Sequence, residues 1–327
     1  MIFKCKNCGG NAIYDPKRGT LYCPHCESTD SQERVAGTGV SQCPNCGAPL
    51  SEGEFTSACK CPNCGTYLIF DERIENEWKP NLILPFKIGK KDAITILRKE
   101  FGRRVFTPSA FMSNASLDKI EGAYVPFFMY DFDGDADYHA VGTKVRVWTS
   151  GDTEYTETSY YNVERSMDVS FKKIPADASK GMDDEIMDLM EPYNYSALLD
   201  FEEKYMSGFY AEKYSNPSAT YEGRAESKAR KDTQVLLRGT VSGYTTLTQE
   251  NEAIRLNQTN SYYVLLPVWV YRFSFQGQKY DFHINGQTGK VIGVTPISKK
   301  KVTGYSATVF GLCLVAGILL KLLLEVM

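Results

Sequence analysis

Eight cysteines near the start of the chain have the spacing of metal ligands. They form four Cys-x-x-Cys pairs: Cys5/Cys8, Cys23/Cys26, Cys43/Cys46 and Cys61/Cys64. The second four cysteines repeat the first four at an offset of 38, and 14 residues separate the inner cysteines of each set. Each pair makes a tight knuckle that presents two sulfurs, and a hairpin between the knuckles gathers four sulfurs around one tetrahedral ion. Gly9, Gly47 and Gly65 follow the second cysteine of three pairs, where the turn favours a residue that accepts positive φ. The pattern predicts two structural Zn²⁺ ions with Cys5, Cys8, Cys23 and Cys26 on one and Cys43, Cys46, Cys61 and Cys64 on the other. Four thiolates close each site, so no position is left for catalysis. A disulfide scaffold is the competing reading, but nothing resembling a signal peptide precedes Cys5. A redox role lacks the βαβ context it needs. His25 reads as a solvated knuckle residue. Cys59 aligns with Leu21 under the same offset and reads as a packing residue or free thiol, with ligand exchange against Cys61 the weaker alternative.

The elements that must position these sulfurs are two ribbons, residues 1–32 and 40–70. The strands of the first hairpin are expected at residues 12–14 and 20–22. The polar, glycine-containing linker 30–41 predicts ribbons free to move relative to each other. Residues 71–298 read as a cytosolic α+β domain rich in antiparallel sheet. Within it, apolar spacing predicts helices at 90–101, at 182–190 with Ile186, Leu189 and Met190 on one side, and over 195–214 and 221–231. Strands are expected at 124–132, 138–147, 155–161, 236–247 and 262–270, with a turn at Asp133-Gly134-Asp135. A second repeat relates residues 125–132 (VPFFMYDF) to 266–273 (LPVWVYRF). It reads either as two hairpins sharing an aromatic pattern or as an internally duplicated α+β unit.

Other candidate chemistry falls away. Residues 282–292 contain Gly-x-x-Gly-Lys, but a phosphate loop needs four residues between the glycines and Ser or Thr after the lysine, and Val291 follows here. Asn285-Gly286 marks a β-hairpin instead. His139 and His283 have no nucleophile–base pattern around them. The acidic pairs Asp133/Asp135 and Asp183/Asp184 read as a turn and a solvated helix start. The expectation is a protein that is not an enzyme.

The other end of the chain is apolar. Residues 305–324 carry only Lys321 as a charge, and 20 residues of helix span about 30 Å, the thickness of a bilayer core. Lys321 lies where its stem reaches the far interface. Lys299-Lys300-Lys301 precedes the span, so residues 299–327 read as a basic flank and a transmembrane helix, with the N-terminal domains in the cytoplasm and the C-terminus outside. Nine of the ten cysteines fall before Gly65, which fits a reducing compartment. The net charge of -3 gives no basic character to the whole. Residues 1–70 carry six basic and six acidic side chains, and four thiolates on Zn²⁺ make each site formally negative. The expectation is therefore against a nucleic-acid partner.

Together, the paired ribbons, Tyr124-Val125-Pro126-Phe127-Phe128, Leu266-Pro267-Val268-Trp269, Asn285-Gly286-Gln287-Thr288-Gly289-Lys290 and the terminal span resemble a family of zinc-ribbon membrane proteins found mostly in Gram-positive bacteria. Some members are labelled as carrying a TFIIB-type zinc ribbon or as replication-restart helicases, and the missing phosphate loop contradicts the second label. The resemblance implies a membrane-anchored cytosolic adaptor that binds a protein partner at the cell membrane, in an envelope-stress setting beside phage-shock or SPFH proteins. The alternative is a membrane-tethered nucleic-acid-binding ribbon protein.

Overall fold

The computed structural model describes residues 1–29, 32–37, 39 and 41–326. The ribbons contribute strands β1 (Ile2–Cys5), β2 (Ile13–Asp15), β3 (Thr20–Tyr22), β4 (Gln32–Val35), β5 (Thr56–Lys60) and β6 (Tyr67–Ile69). The body follows with β7 (Leu82–Ile83), α1 (Lys90–Arg103), α2 (Asn114–Leu117), β8 (Glu121–Ser150), β9 (Thr153–Asp177) and α3 (Asp184–Leu189). It continues through β10 (Leu199–Asp200), β11 (Tyr210–Glu212), α4 (Glu222–Gly239), β12 (Thr246–Phe275), β13 (Gln278–Asn285), β14 (Val291–Ile292) and α5 (Lys299–Val326). The class is α+β, with a sheet-rich body and one apolar C-terminal helix.

The main sheet runs in the order β10-β7-β12-β8-β11-β5-β6, with β9 on β8, β13 on β12 and β14 on β13. The weak repeat in the sequence has a geometric counterpart. β11 runs parallel to β8 at Ala123 and Tyr124, and the returning strand β9 pairs from Phe127 onward. β7 runs parallel to β12 at Val264 and Leu265, and β13 pairs from Val268 onward. Every number in the second set is 141 higher than in the first, which is also the offset between Pro126 and Pro267. The equivalent residues Val125 and Leu266 face each other across the β8–β12 pair. A local two-fold axis passes between them. The body is thus a duplicated βαββ unit in which the first short strand of each half pairs with the long strand of the other half. The helices obey the same relation: α1 packs Phe101 on Tyr271 of β12 and Phe282 of β13, while α4 packs Leu237 with Ala140 of β8 and Val163 of β9.

Several expectations need correction. Asp133-Gly134-Asp135 is no turn; β8 passes straight through it, paired with β9 and β12 on its two edges. Glycine is present because a Cβ at 134 would lie 2.0 Å from the Arg255 carbonyl oxygen. The expected helix over 195–214 is a series of short turns and two short strands. Its buried residues Tyr205, Met206, Ser207, Phe209 and Ala211 would lie all round a helix rather than on one face, and Gly208 at φ 99° breaks the path. α4 extends to Gly239 and absorbs the start of the strand expected at 236, because Ala225, Ala229, Thr233 and Leu237 form a buried stripe at every fourth residue. The strand begins at Thr246 instead. In α3 the buried side is Met187 with Met190 just beyond, while Leu189 is exposed. Part of the linker expected to be loose, Gln32–Val35, pairs with β1; Asp30, Ser31, Thr38 and Val40 lie outside the described residues.

Beyond Thr143, β8 and β9 leave β12 behind and continue as a two-stranded arm. Its exposed side chains include Val145, Val147, Trp148 and Tyr155. β8 holds 30 residues, so the arm tip stands up to about 100 Å from its start. α5 leaves from the opposite end, where Phe106 meets Tyr305 edge-to-face at 5.6 Å and Ser298 donates to the Phe106 carbonyl. α5 is long and apolar enough to cross a membrane, and its apolar window is not buried against the rest of the chain.

Candidate metal centres

All four knuckles are built the same way. The amide of the first cysteine donates to the carbonyl five residues on, as in Cys5 to Gly10 and Cys43 to Ala48 (2.8 and 2.9 Å). The amide four residues on donates back to the first cysteine, as in Gly9 to Cys5 and Gly65 to Cys61 (2.8 and 2.9 Å). This closed loop forces positive φ on the residue after the second cysteine. Gly9, Gly47 and Gly65 take 70°, 71° and 74°. Glu27, after Cys26, takes 61° without being glycine, so the second knuckle is the one that carries this strain. The duplication is visible in the bridges as well: Lys4 pairs with Asn11, and Gln42 with Pro49, again 38 residues apart.

The knuckles bring the eight cysteines into two clusters, Cys5, Cys8, Cys23 and Cys26 in one and Cys43, Cys46, Cys61 and Cys64 in the other, with the sulfurs of each within 4.8 Å of one another. Across the first, Cys5 Sγ lies 3.6 Å from Cys26 Sγ and Cys8 Sγ 3.5 Å from Cys23 Sγ. The corresponding distances in the second are 3.7 and 3.8 Å. Metal–sulfur bonds of about 2.3 Å in a tetrahedron require sulfurs about 3.8 Å apart, so both cages fit one ion each. The first cysteine of every pair is buried and the second exposed, so each ion would stand between the folded interior and solvent. With four sulfurs around it, an ion would have a complete tetrahedral shell, and the chemistry these sites supply is cross-linking of the chain.

The second cage has a supporting layer that spacing alone does not reveal. Asn45 Nδ2 lies 3.6 Å from Cys64 Sγ and donates to Thr66 Oγ1 at 3.1 Å, and Asn63 Nδ2 lies 3.5 Å from Cys46 Sγ. Such donors offset thiolate charge and fix ligand orientation. The signal was the asparagine inside each Cys-Pro-Asn-Cys knuckle. At the position equivalent to Asn63 the first ribbon carries His25, which is exposed and outside the sulfur cluster. Cys59 is fully buried among Ile2, Leu68 and Phe70. Burial pushes its thiol up to about 12, and the Glu52 carboxylate acts in the same direction, as befits a packing residue.

Both ribbons are fastened to the body. β5 is hydrogen-bonded to β11, which pairs with β8, so the second ribbon continues the main sheet. In the first ribbon, Tyr14 packs edge-on against Tyr205 at 5.1 Å, its amide donates to the Ser207 carbonyl, and Ser207 Oγ donates to the Ala12 carbonyl.

Outside the metal centres, His139 is half-buried and faces Glu164 at 3.9 Å. His283, expected to be an ordinary strand histidine, is buried, and its Nδ1 has no partner among the described residues. Burial holds its pKa below the ordinary value, with Asp281 opposing. Asp177 is also fully buried, and burial raises its carboxyl to about 8 against the pull of the Ser179 amide.

Comparison with known proteins gives few landmarks. No protein-family model matches the chain, and no solved structure matches it. An uncharacterized protein of Bacillus subtilis (strain 168), YdjG, is 34% identical over 328 residues, covering 95% of this chain and 94% of the relative. At that identity over nearly the whole of both chains, the protein described here belongs to the YdjG family.

Proposed function

We propose that the chain is a zinc-loaded adaptor, held by α5 in the cell membrane with its ribbons and body in the cytoplasm, that binds a protein partner at the inner membrane face. The observation that carries this reading is the pairing of an uncovered apolar helix at one end with two four-cysteine cages in the folded part. Such cages hold shape, and a shape held at a membrane serves recognition. Thiolate ligands favour zinc in a reducing compartment, and a ribbon module made acidic by four thiolates on each ion favours a protein partner over nucleic acid. Lys299, Lys300 and Lys301 favour the cytoplasmic orientation. The family resemblance adds an envelope-stress setting, beside phage-shock or SPFH proteins. Affinity capture of the full chain from detergent-solubilised membranes tests the reading. A stress-associated membrane protein should be recovered with the wild type and lost when all eight ligand cysteines are serine. Equal recovery with both would overturn the ribbons' role, and recovery of replication proteins would favour a nucleic-acid role.

A further inference from the structure

A cavity of about 540 Å³ lies where both ribbons meet the body. That volume is in the range of small-molecule sites. One side is the β2–β3 hairpin of the first ribbon; the other is formed by Lys60 and Tyr67 of the second, the start of α1 and residues 118–122. Two glycines are part of its wall. A Cβ on Gly122 would come within 2.6 Å of the Phe209 ring, and Gly208 sits at φ 99°. Tyr67, Phe209 and Trp269 line it with rings.

Its charge is unbalanced. Lys17 closes one side through an ion pair with Asp92 at 3.0 Å, and Arg18 engages Asp15 at 3.4 Å. That leaves Lys60, Lys90, Lys91 and Lys119 against Asp118 and Glu121. All four lysines are exposed and none forms an ion pair within 4.0 Å among the described residues; Lys90 Nζ donates to the Asp118 carbonyl at 2.8 Å and Lys60 Nζ stands 5.8 Å over the Tyr67 ring, which leaves Lys91 and Lys119 without a neighbouring acceptor to displace. Lysine ammonium groups are point charges suited to phosphate, and aromatic side walls accept a flat ring. We infer that this cleft binds a small organic anion built from a phosphate group and a flat ring, of the class of a nucleoside diphosphate. A lipid headgroup does not fit the position. α5 starts near Phe106, beyond the C-terminal end of α1, and the cleft lies at the other end of that 14-residue helix, about 21 Å away.

The test uses the full chain in detergent micelles, titrated with ADP and separately with inorganic pyrophosphate, and followed by calorimetry and tryptophan fluorescence. ADP should bind more tightly than pyrophosphate. Lys60→Gln/Lys90→Gln should weaken ADP at least tenfold, Lys91→Gln/Lys119→Gln should weaken it less, and Lys144→Gln on the distant arm should change nothing. Should the first pair disturb the neighbouring metal cage, the second pair, away from any cysteine, decides. Absence of ADP binding at millimolar concentration, or unchanged affinity in the lysine variants, would overturn the inference.

Discussion

The integration of the second ribbon into the main sheet makes a sharp prediction about Cys43→Ser/Cys64→Ser. The variant removes half of the ligands of one cage. A structural zinc site contributes roughly 10–16 kcal/mol of apparent binding energy at neutral pH, so half a cage will not hold its ion. The ribbon then has only its apolar contacts. Cys59, Leu68, Ile69 and Phe70 are each at most 4% exposed; at about 1.5–3 kcal/mol per buried side chain, their release costs about 6–12 kcal/mol as an upper bound. The net stability of a folded domain is about 5–15 kcal/mol. The loss is of the size of the whole margin, so it should not stay local. β5 would leave β11 as a bare edge beside β8. Thermal unfolding followed by circular dichroism, with the metal content measured on the same sample, should show one ion lost and the β-sheet transition lowered by more than about 15 °C. A variant with one ion missing and an unchanged β-sheet transition would refute the claim that the ribbon holds up the body sheet.

Further outcomes can be checked in the same preparation. Gly134→Ala should cost about 2–4 kcal/mol in thermal unfolding, because the new Cβ forces β8 and β12 apart at Arg255 and breaks ladder bonds; a turn at this site would tolerate alanine. Phe111→Ala should cost about 3–5 kcal/mol, since the ring is fully buried against Phe101, Phe273 and Phe282. Asp177 has its folded-state pKa raised from 3.8 to about 8. The folded protein therefore binds this proton more tightly than the unfolded chain, and the stability it lends is present at low pH and lost as pH rises through about 8. Melting temperatures taken from mildly acidic to alkaline pH should fall in the wild type and fall less in Asp177→Asn. Ending the chain before Lys299 should move the protein from the membrane to the soluble fraction on cell fractionation.

What was legible in the sequence was what is locally encoded. The sulfur cages were readable because each knuckle is a short closed loop whose residues make one another's hydrogen bonds, and the spacing survives without knowledge of the rest of the fold. The apolar helix was readable for the same reason. The extent of β8 and β12 was not. Gly134 looks like a turn residue until Arg255 of the distant strand β12 is placed against it. A helix over 221–231 was expected and is present, but its continuation to Gly239 was not, because the buried stripe that carries it there is Ala225, Ala229, Thr233 and Leu237, three of them small residues that apolar counting weighs little. The exchange of first strands was beyond reach, since β7 pairs with β12 through only two residues and so short a ladder leaves no pattern.

The duplication, once seen, explains where the ribbons sit. In one half the short strand β7 has its outer edge covered by β10; in the other, β11 has its outer edge covered by β5 and, beyond it, β6. The two-fold relation therefore holds in the middle of the sheet and fails at its flanks. An uncovered edge strand presents unpaired amides and carbonyls to any passing chain. One flank is closed by a two-residue strand of the body itself, and the other by a hairpin that runs into the second metal knuckle at Cys61. Covering an edge with a segment whose own core is small requires a cross-link to hold the segment in shape, and four thiolates on one ion supply it. The second cage then belongs to the architecture of the sheet as much as to the ribbon, and the exposed knuckle face is what remains for the partner proposed above.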